Sequence, residues 1–248
     1  MNLIKKIIIQ RLFGGDIKRM IAKNRIPDPF VSLTRLKEMG FNPKSIFDIG
    51  AYEGDFTNMC LSIWQNADIT AFEALPDKII KIKKKFSGKR VKIVEGIVGE
   101  AVQESVPYFA DETASSVLKS DEVDTIKKVL VQKMITLDSY LKETNSTAPH
   151  FLKIDTQGYE YQILKGFEEN LHKVEVILLE LNFIEVYHHV KLADEVINYL
   201  SRFDFVIYDI CEIHRRPLDN ALFQIDFLFI KKDSFLRREK KWNHKKIN

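Results

Sequence analysis

The chain has little of what marks several protein classes. Only two of its 248 residues are cysteine, Cys60 and Cys211, far apart and with no Cys-x-x-Cys or Cys/His cluster beside either. This scarcity argues against a zinc site or a disulfide scaffold and fits a reducing cytoplasm. No apolar run approaches the roughly 20 residues of a membrane-spanning helix, and no internal repeat or low-complexity tract is present. Hydrophobic residues make up 45% and charged residues 29%, an ordinary globular mix that excludes a disordered, collagen-like or coiled-coil chain. One soluble domain is expected.

The charge of +3 is unevenly spread. Residues 1–25 carry seven Lys/Arg against Asp16, and residues 231–248 carry eight against Asp233 and Glu239, which leaves residues 26–230 at −9. Basic ends of this kind are either solvated tails or contacts for an anionic membrane surface or nucleic acid. The acidic body argues against a nucleic-acid substrate, because phosphates would be repelled around the site. In the first segment Ile4, Ile7, Ile8 and Leu12 fall near helical spacing, with Gly14-Gly15 ending the helix after about three turns. A helix packed on the body is favoured over one lying on a membrane. The chain therefore divides into an N-terminal helical extension (1–40), a main domain (41–232) and a basic C-terminal tail (233–248).

From residue 44 the pattern is regular. Short apolar runs at 44–50, 67–74, 91–96, 150–155 and 174–182 read as parallel strands, with helices over 53–64, 77–86, 158–171 and 191–202 between and after them. Further strands are expected at 104–110 and 131–137, around a polar loop at 111–124. The last two strands, 203–210 and 222–232, suit an antiparallel hairpin joined by the turn EIHRRPLDN. Strands alternating with helices give an α/β, Rossmann-like sheet, mostly parallel, with an antiparallel C-terminal strand pair and helices on both faces.

In such a sheet ligands lie beyond the carboxyl ends of the strands. The first end reads DIGAYEG: Asp48, Gly50, Ala51, Tyr52 and Gly54 would form a cofactor loop, in which Gly50 permits a tight turn. A dinucleotide fingerprint would read GxGxxG. Here Glu53 and Asp55 bring acids to the helix start, which suits a sulfonium better than a pyrophosphate. Glu73, followed by Ala74, ends the second strand where a carboxylate can hold ribose hydroxyls, and Gly96 and Ile97 end the third. These residues together predict S-adenosylmethionine rather than NAD. Asp155 and Glu180 end the fourth and fifth strands and are the candidate catalytic acids, with Asp155 also facing the cofactor. Methyl transfer asks for alignment and for removal of the acceptor's proton. Asn182, Ser115, Ser116 and His188 are candidate substrate contacts, and His189 is a secondary base candidate. A divalent metal on Asp155, Glu180 and Asn182 is an alternative that is not favoured.

DIGAYEG, AFEALP, ITLDSYL, FLKIDTQGYEYQILKGF and LLELN together resemble the FkbM family of S-adenosylmethionine-dependent methyltransferases, over residues 44–231. The resemblance implies a class I methyltransferase fold and O-methylation of sugar or polyketide hydroxyls. It places Asp48, Gly50 and Gly54 in the cofactor loop, Glu73 at the ribose, and Asp155 and Glu160 in the fourth-strand motif, with Glu160 structural. The family commonly has Asn where this chain has Tyr52. The expected function is cytoplasmic O-methylation of a small-molecule or sugar acceptor, with peripheral contact at the inner membrane surface through the basic ends as an added expectation. The alternatives are a non-catalytic adenosyl-ligand-binding scaffold and, disfavoured by the missing phosphate turn, an NAD-dependent oxidoreductase.

Overall fold

The computed structural model describes residues 26–110, 115–119 and 128–241. The helix expected in the first segment lies outside them. Helix α1 (Pro29–Glu38) opens the described chain, and its start is written locally: the Asp28 carboxylate accepts the Val31 N–H at 2.9 Å and proline fills the first helical position. Then follow β1 (Ser45–Ile49), α2 (Asp55–Ile63), β2 (Asp68–Glu73), α3 (Pro76–Lys85), β3 (Val91–Glu95) and β4 (Ile97–Val98). The second half holds β5 (Gln103–Ala110), β6 (Lys128–Ile135), α4 (Leu137–Thr144), β7 (Phe151–Ile154), α5 (Glu160–Lys165), β8 (Val176–Asn182), α6 (Ala193–Ser201), β9 (Phe205–Arg215) and β10 (Leu222–Lys231).

Seven strands form the main sheet in the order β3-β2-β1-β7-β8-β10-β9. The first five are parallel, and β10 runs antiparallel to both β8 and β9. This is the Rossmann-like, class I methyltransferase arrangement that the alternating pattern and the family resemblance led us to expect. The central strands are apolar on both faces because both are covered. Leu33, Leu36, Cys60 and Trp64 pack with Ile46, Phe151 and Leu178 on one face, and Leu141, Ile163, Phe167 and Leu200 pack with Phe47, Leu152 and Leu179 on the other. No helix among the described residues is long and apolar enough to cross a membrane.

The structure departs from the sequence reading in four places. A second sheet, β4-β6-β5, stands beside the first. Helix α4 begins at Leu137, the last residue of the strand expected over 131–137, and continues through residues to which no element was assigned; Thr136 and Ser139 cap it reciprocally. The helix expected over 158–171 is only Glu160–Lys165, and Gly166, which caps it, packs so closely on Gly99 that a Cβ there would lie 2.0 Å from the Gly99 carbonyl oxygen. Finally, β9 runs through Glu212–Arg215, part of the expected turn, paired to β10 through Ile213↔Ile225 and His214↔Gln224. In the C-terminal tail, Phe235–Arg237 forms a 3-10 turn that buries Leu236 against the body, so the tail begins as packed chain.

Candidate active site

A cavity of about 180 Å³ opens at the carboxyl ends of β1, β2, β3 and β7. Seven of the expected cofactor positions line it: Gly50, Tyr52, Glu73, Ala74, Gly96, Ile97 and Asp155. Its apolar wall comes from Phe72, Ile97 and Val98, and its polar wall from Glu73, Tyr108, Ser115 and Asp155.

The β1–α2 loop is shaped by two close approaches. Gly50 has φ +77°, and a Cβ there would lie 2.0 Å from the Asp155 carbonyl oxygen, so the loop can touch the end of β7 only with glycine. Its N–H and that of Ala51 both donate to the Phe72 carbonyl, at 3.1 and 3.0 Å. Tyr52 follows at φ 48°, in the left-handed region that Asn tolerates better than Tyr, which accounts physically for Asn at that point in the family. The Tyr52 N–H donates to Glu73 Oε2 at 2.6 Å, and the Ala74 and Leu75 N–H groups donate to Oε1 at 2.9 and 2.8 Å. Glu73 is thus a buried carboxylate facing the cavity and anchored by three backbone donors. Burial raises its pKa, and those donors oppose the rise.

Three of the expected loop residues do not face the cavity. Asp48 is fully buried, accepts the Thr57 hydroxyl at 2.6 Å and lies 3.2 Å from Lys153 Nζ. Ala51 packs against Ala71, Ile82 and Phe86, and Gly54 lies under the Phe86 ring. Nor do Glu53 and Asp55 offer negative charge to a ligand. Lys78 and Lys81 hold Glu53 at 2.8 and 3.1 Å, lowering its pKa, and Lys85 holds Asp55 at 2.7 Å. The argument that acids in this loop attract a sulfonium is corrected accordingly: α3 supplies three lysines that neutralise them.

Lys153, which sequence reasoning passed over, joins the two halves of the site. It is 6% exposed, donates to the Gly50 carbonyl at 3.1 Å, and lies 3.2 Å from Asp48 and 3.3 Å from Asp155. Burial works against its charge, but Asp155 and Asp48 outweigh burial and raise its pKa. A usable signal existed, since Lys153 and Asp155 are two residues apart on a strand and share a face.

Asp155 lines the cavity with its side chain 40% exposed, whereas Glu180 stands behind it. Gln157 bridges them, its Nε2 donating to Asp155 Oδ1 at 3.2 Å and to Glu180 Oε1 at 2.9 Å. Tyr187 donates to Gln157 Oε1 at 3.0 Å, and the Ser116 hydroxyl donates to the Gln157 carbonyl at 2.8 Å. These contacts hold Gln157 at φ 55°. Glu160 closes the same turn by accepting the Thr156 and Gly158 N–H groups at 2.8 and 3.2 Å, and burial pushes its pKa up to about 7. Burial, then the charges of Asp155, Asp226 and Glu160, push Glu180 far above the ordinary carboxylate range.

The expected substrate residues separate. Ser115 lines the cavity, while Ser116 is buried as a strap onto the Gln157 turn. Asn182 is buried and accepts Gln224 Nε2 at 3.2 Å. His188 lies outside the cavity, its N–H donating to the Lys119 carbonyl at 2.8 Å, and His189 is exposed. For the metal alternative on Asp155, Glu180 and Asn182, the Gln157 amide stands between the two acids and Asn182 Oδ1 already has a donor, so the three do not converge as a ligand set.

Residues 48–207 match the family model described as the methyltransferase FkbM domain. No curated protein matches the chain. Similar solved structures include precorrin-6y C5,15-methyltransferase from Geobacter metallireducens, at 15% identity and TM-score 0.45, covering 82% of this chain and 85% of that one. Another is 1,6-didemethyltoxoflavin-N1-methyltransferase from Burkholderia thailandensis, with S-adenosylhomocysteine bound, at 13% identity and TM-score 0.43, covering 94% and 92%. A third is magnesium protoporphyrin IX methyltransferase from Synechocystis, with S-adenosylmethionine bound, at 7% identity and TM-score 0.46, covering 82% and 76%.

Proposed function

The chain belongs to the methyltransferase FkbM family and is a methyltransferase, and we propose that it moves the methyl of S-adenosylmethionine to a hydroxyl of a sugar or similar small molecule. The observation that carries this reading is Asp155, a carboxylate on the cavity wall fixed by Lys153 on one side and by the Gln157 amide on the other.

The residues present fit the donor. Gly50 keeps the loop low against β7, where any side chain would collide with backbone. Glu73 has about four lone-pair sites as a carboxylate and gives three to backbone N–H groups, so one remains for a ribose hydroxyl. Phe72, Ile97 and Val98 form the apolar wall that a purine needs. When bound, S-adenosylmethionine supplies an electrophilic methyl carried on a sulfonium.

A hydroxyl that becomes an ether must lose its proton, and in this reading Asp155 accepts it. Lys153 and Gln157 orient the carboxylate, and its partial exposure gives the proton a route to water. Glu180 does not touch the cavity and acts as a positioning residue through Gln157. The dense amide and carboxylate hydrogen bonding beside Asp155 suits a polyhydroxylated acceptor. The acceptor is met in the cytoplasm, and the basic ends add peripheral contact with an anionic surface.

Calorimetric titration with S-adenosylmethionine, S-adenosylhomocysteine and NAD in parallel tests the donor. Micromolar binding of both adenosyl ligands with no response to NAD is expected. Binding of NAD alone, or of none of the three, overturns the reading in favour of an oxidoreductase or a scaffold. A screen of sugar nucleotides for a one-methyl mass gain then tests the acceptor, and gain only on amines would overturn hydroxyl transfer.

A further inference from the structure

Beside the catalytic turn, at the same end of the sheet, three adjacent antiparallel strands bring Glu180 together with two side chains, His214 and Asp226, that the methyl-transfer reading leaves unused. Glu180 of β8 lies directly opposite Asp226 of β10, and His214 of β9 lies opposite Gln224. One ligand atom each from Glu180, His214 and Asp226 lie within 4.8 Å of one another. His214 Nε2 is 3.8 Å from Glu180 Oε2 and 4.0 Å from Asp226 Oδ1.

Two observations show that the oxygens of this cluster are incompletely satisfied. Like charges directly opposite on one sheet face destabilise it, yet Glu180 and Asp226 are so placed. Asp226 Oδ1 is fully buried and has no hydrogen-bond partner, although buried acceptors as a rule are satisfied. Glu180 is oriented to complete the set. Its Oε1 takes both amide donors, Gln157 at 2.9 Å and Gln224 at 2.8 Å, so that Oε2 is the oxygen left toward His214. Amides that fix a ligating carboxylate are the usual outer support of a metal site.

The backbone also bends to build the cluster. The β9–β10 ladder begins at Phe205↔Lys231, and irregularities at Tyr208 and Cys211 then advance β9 by two residues. Those two extra residues bring His214 level with Gln224; a regular ladder would put Glu212 there.

We propose that Glu180, His214 and Asp226 hold a divalent transition-metal ion of the manganese(II) or zinc(II) kind. One imidazole and two carboxylates favour these over magnesium and calcium, which take oxygen ligands. Ligand atoms about 2.1 Å from an ion sit roughly 3.0–3.4 Å apart at tetrahedral or right angles, so the 3.8 and 4.0 Å seen here close by about half an ångström when an ion binds. Three protein ligands leave positions open for a further oxygen. In a role that rests on the methyl-transfer reading, the ion stands behind the cavity and fixes Glu180, and through it the Gln157 amide that orients Asp155.

The test uses the full chain, stripped with a chelator, freed of it and given no methyl donor. Titration with cobalt(II), followed by visible absorption, and with zinc(II) and manganese(II) by equilibrium dialysis, should give one ion per chain. His214→Ala and Asp226→Asn should each weaken binding at least tenfold, while Glu143→Gln, which alters an exposed acid on α4 away from the cluster, should leave it unchanged. Circular dichroism identifies any variant that fails to fold, in which case His214→Gln takes its place. Absence of stoichiometric binding, or wild-type binding by folded His214 and Asp226 variants, overturns the site. Because no donor is present, failure here with intact S-adenosylmethionine binding removes only the metal, whereas intact metal binding with no S-adenosylmethionine binding removes only the methyl-transfer reading.

Discussion

Two sides of one sheet end handle negative charge differently. On the β1–β2 side each carboxylate is met by fixed donors: Glu73 by three backbone N–H groups, Asp48 by Thr57 and Lys153, and Glu53 by two lysines. On the β7–β8–β10 side, Asp155, Glu160, Glu180 and Asp226 crowd together, and the pKa values of the last three are raised by burial and by the charge of Asp155. Compensated charge makes a rigid cradle, suited to a ligand that must always be held the same way. Surplus charge leaves groups that a proton, a cation or a hydroxyl can still satisfy. The first arrangement suits binding and the second suits chemistry, and Lys153, paired to Asp48 and Asp155, spans the boundary.

The contrast can be broken most severely at Gly50, where both sides meet. Gly50→Ala places a Cβ 2.0 Å from the Asp155 carbonyl oxygen at a positive φ. Strain and overpacking together should cost about 3 kcal/mol or more, and calorimetry should find no adenosyl-ligand binding. Asp155→Asn should separate the sides. Turnover should fall by about 10²–10⁴-fold, the usual contribution of a general base, with S-adenosylhomocysteine affinity changed only a few-fold. An equal loss of affinity would return Asp155 to the binding side. Glu73→Gln should do the reverse, weakening cofactor binding by about 1–3 kcal/mol with a smaller change in the single-turnover rate at saturating donor.

A further effect is in pH. Glu160 has a folded-state pKa of about 7 against the ordinary 4.5, so the folded chain binds this proton more tightly than the unfolded one. Its contribution to stability is complete below the unfolded value and is lost as pH rises through about 7. Urea unfolding across that window should show stability falling by at most about 1.4 kcal/mol per pH unit from this group. Glu160→Gln, which keeps an acceptor for Thr156 and Gly158, should flatten the slope.

Much of the β1–β2 side was legible in the sequence because its determinants are local. Strand, glycine turn and helix follow one another in DIGAYEG, and Glu73 ends its own strand. The other side depends on contacts distant along the chain. Nothing near Gln157 announces a left-handed glutamine; Tyr187 and Ser116 impose it. His214 sits in a stretch with the composition of a turn, and the two β9 irregularities that position it have no sequence signature. Asp155 and Glu180 were both visible as strand ends, but only the Gln157 bridge separates the one that faces the cavity from the one behind it.

Strand β9 carries a further consequence. It is one of the two edge strands of the main sheet, eleven residues long, with Ile207 and Ile213 exposed. A long, flat, apolar edge is a template on which another chain can add a strand and start a fibre. The same irregularities at Tyr208 and Cys211 that bring His214 into place interrupt the even spacing of free backbone groups such a newcomer would copy. The interruption that guards this edge against strand addition is therefore the same geometry that assembles the Glu180, His214 and Asp226 cluster, and straightening the edge would remove both.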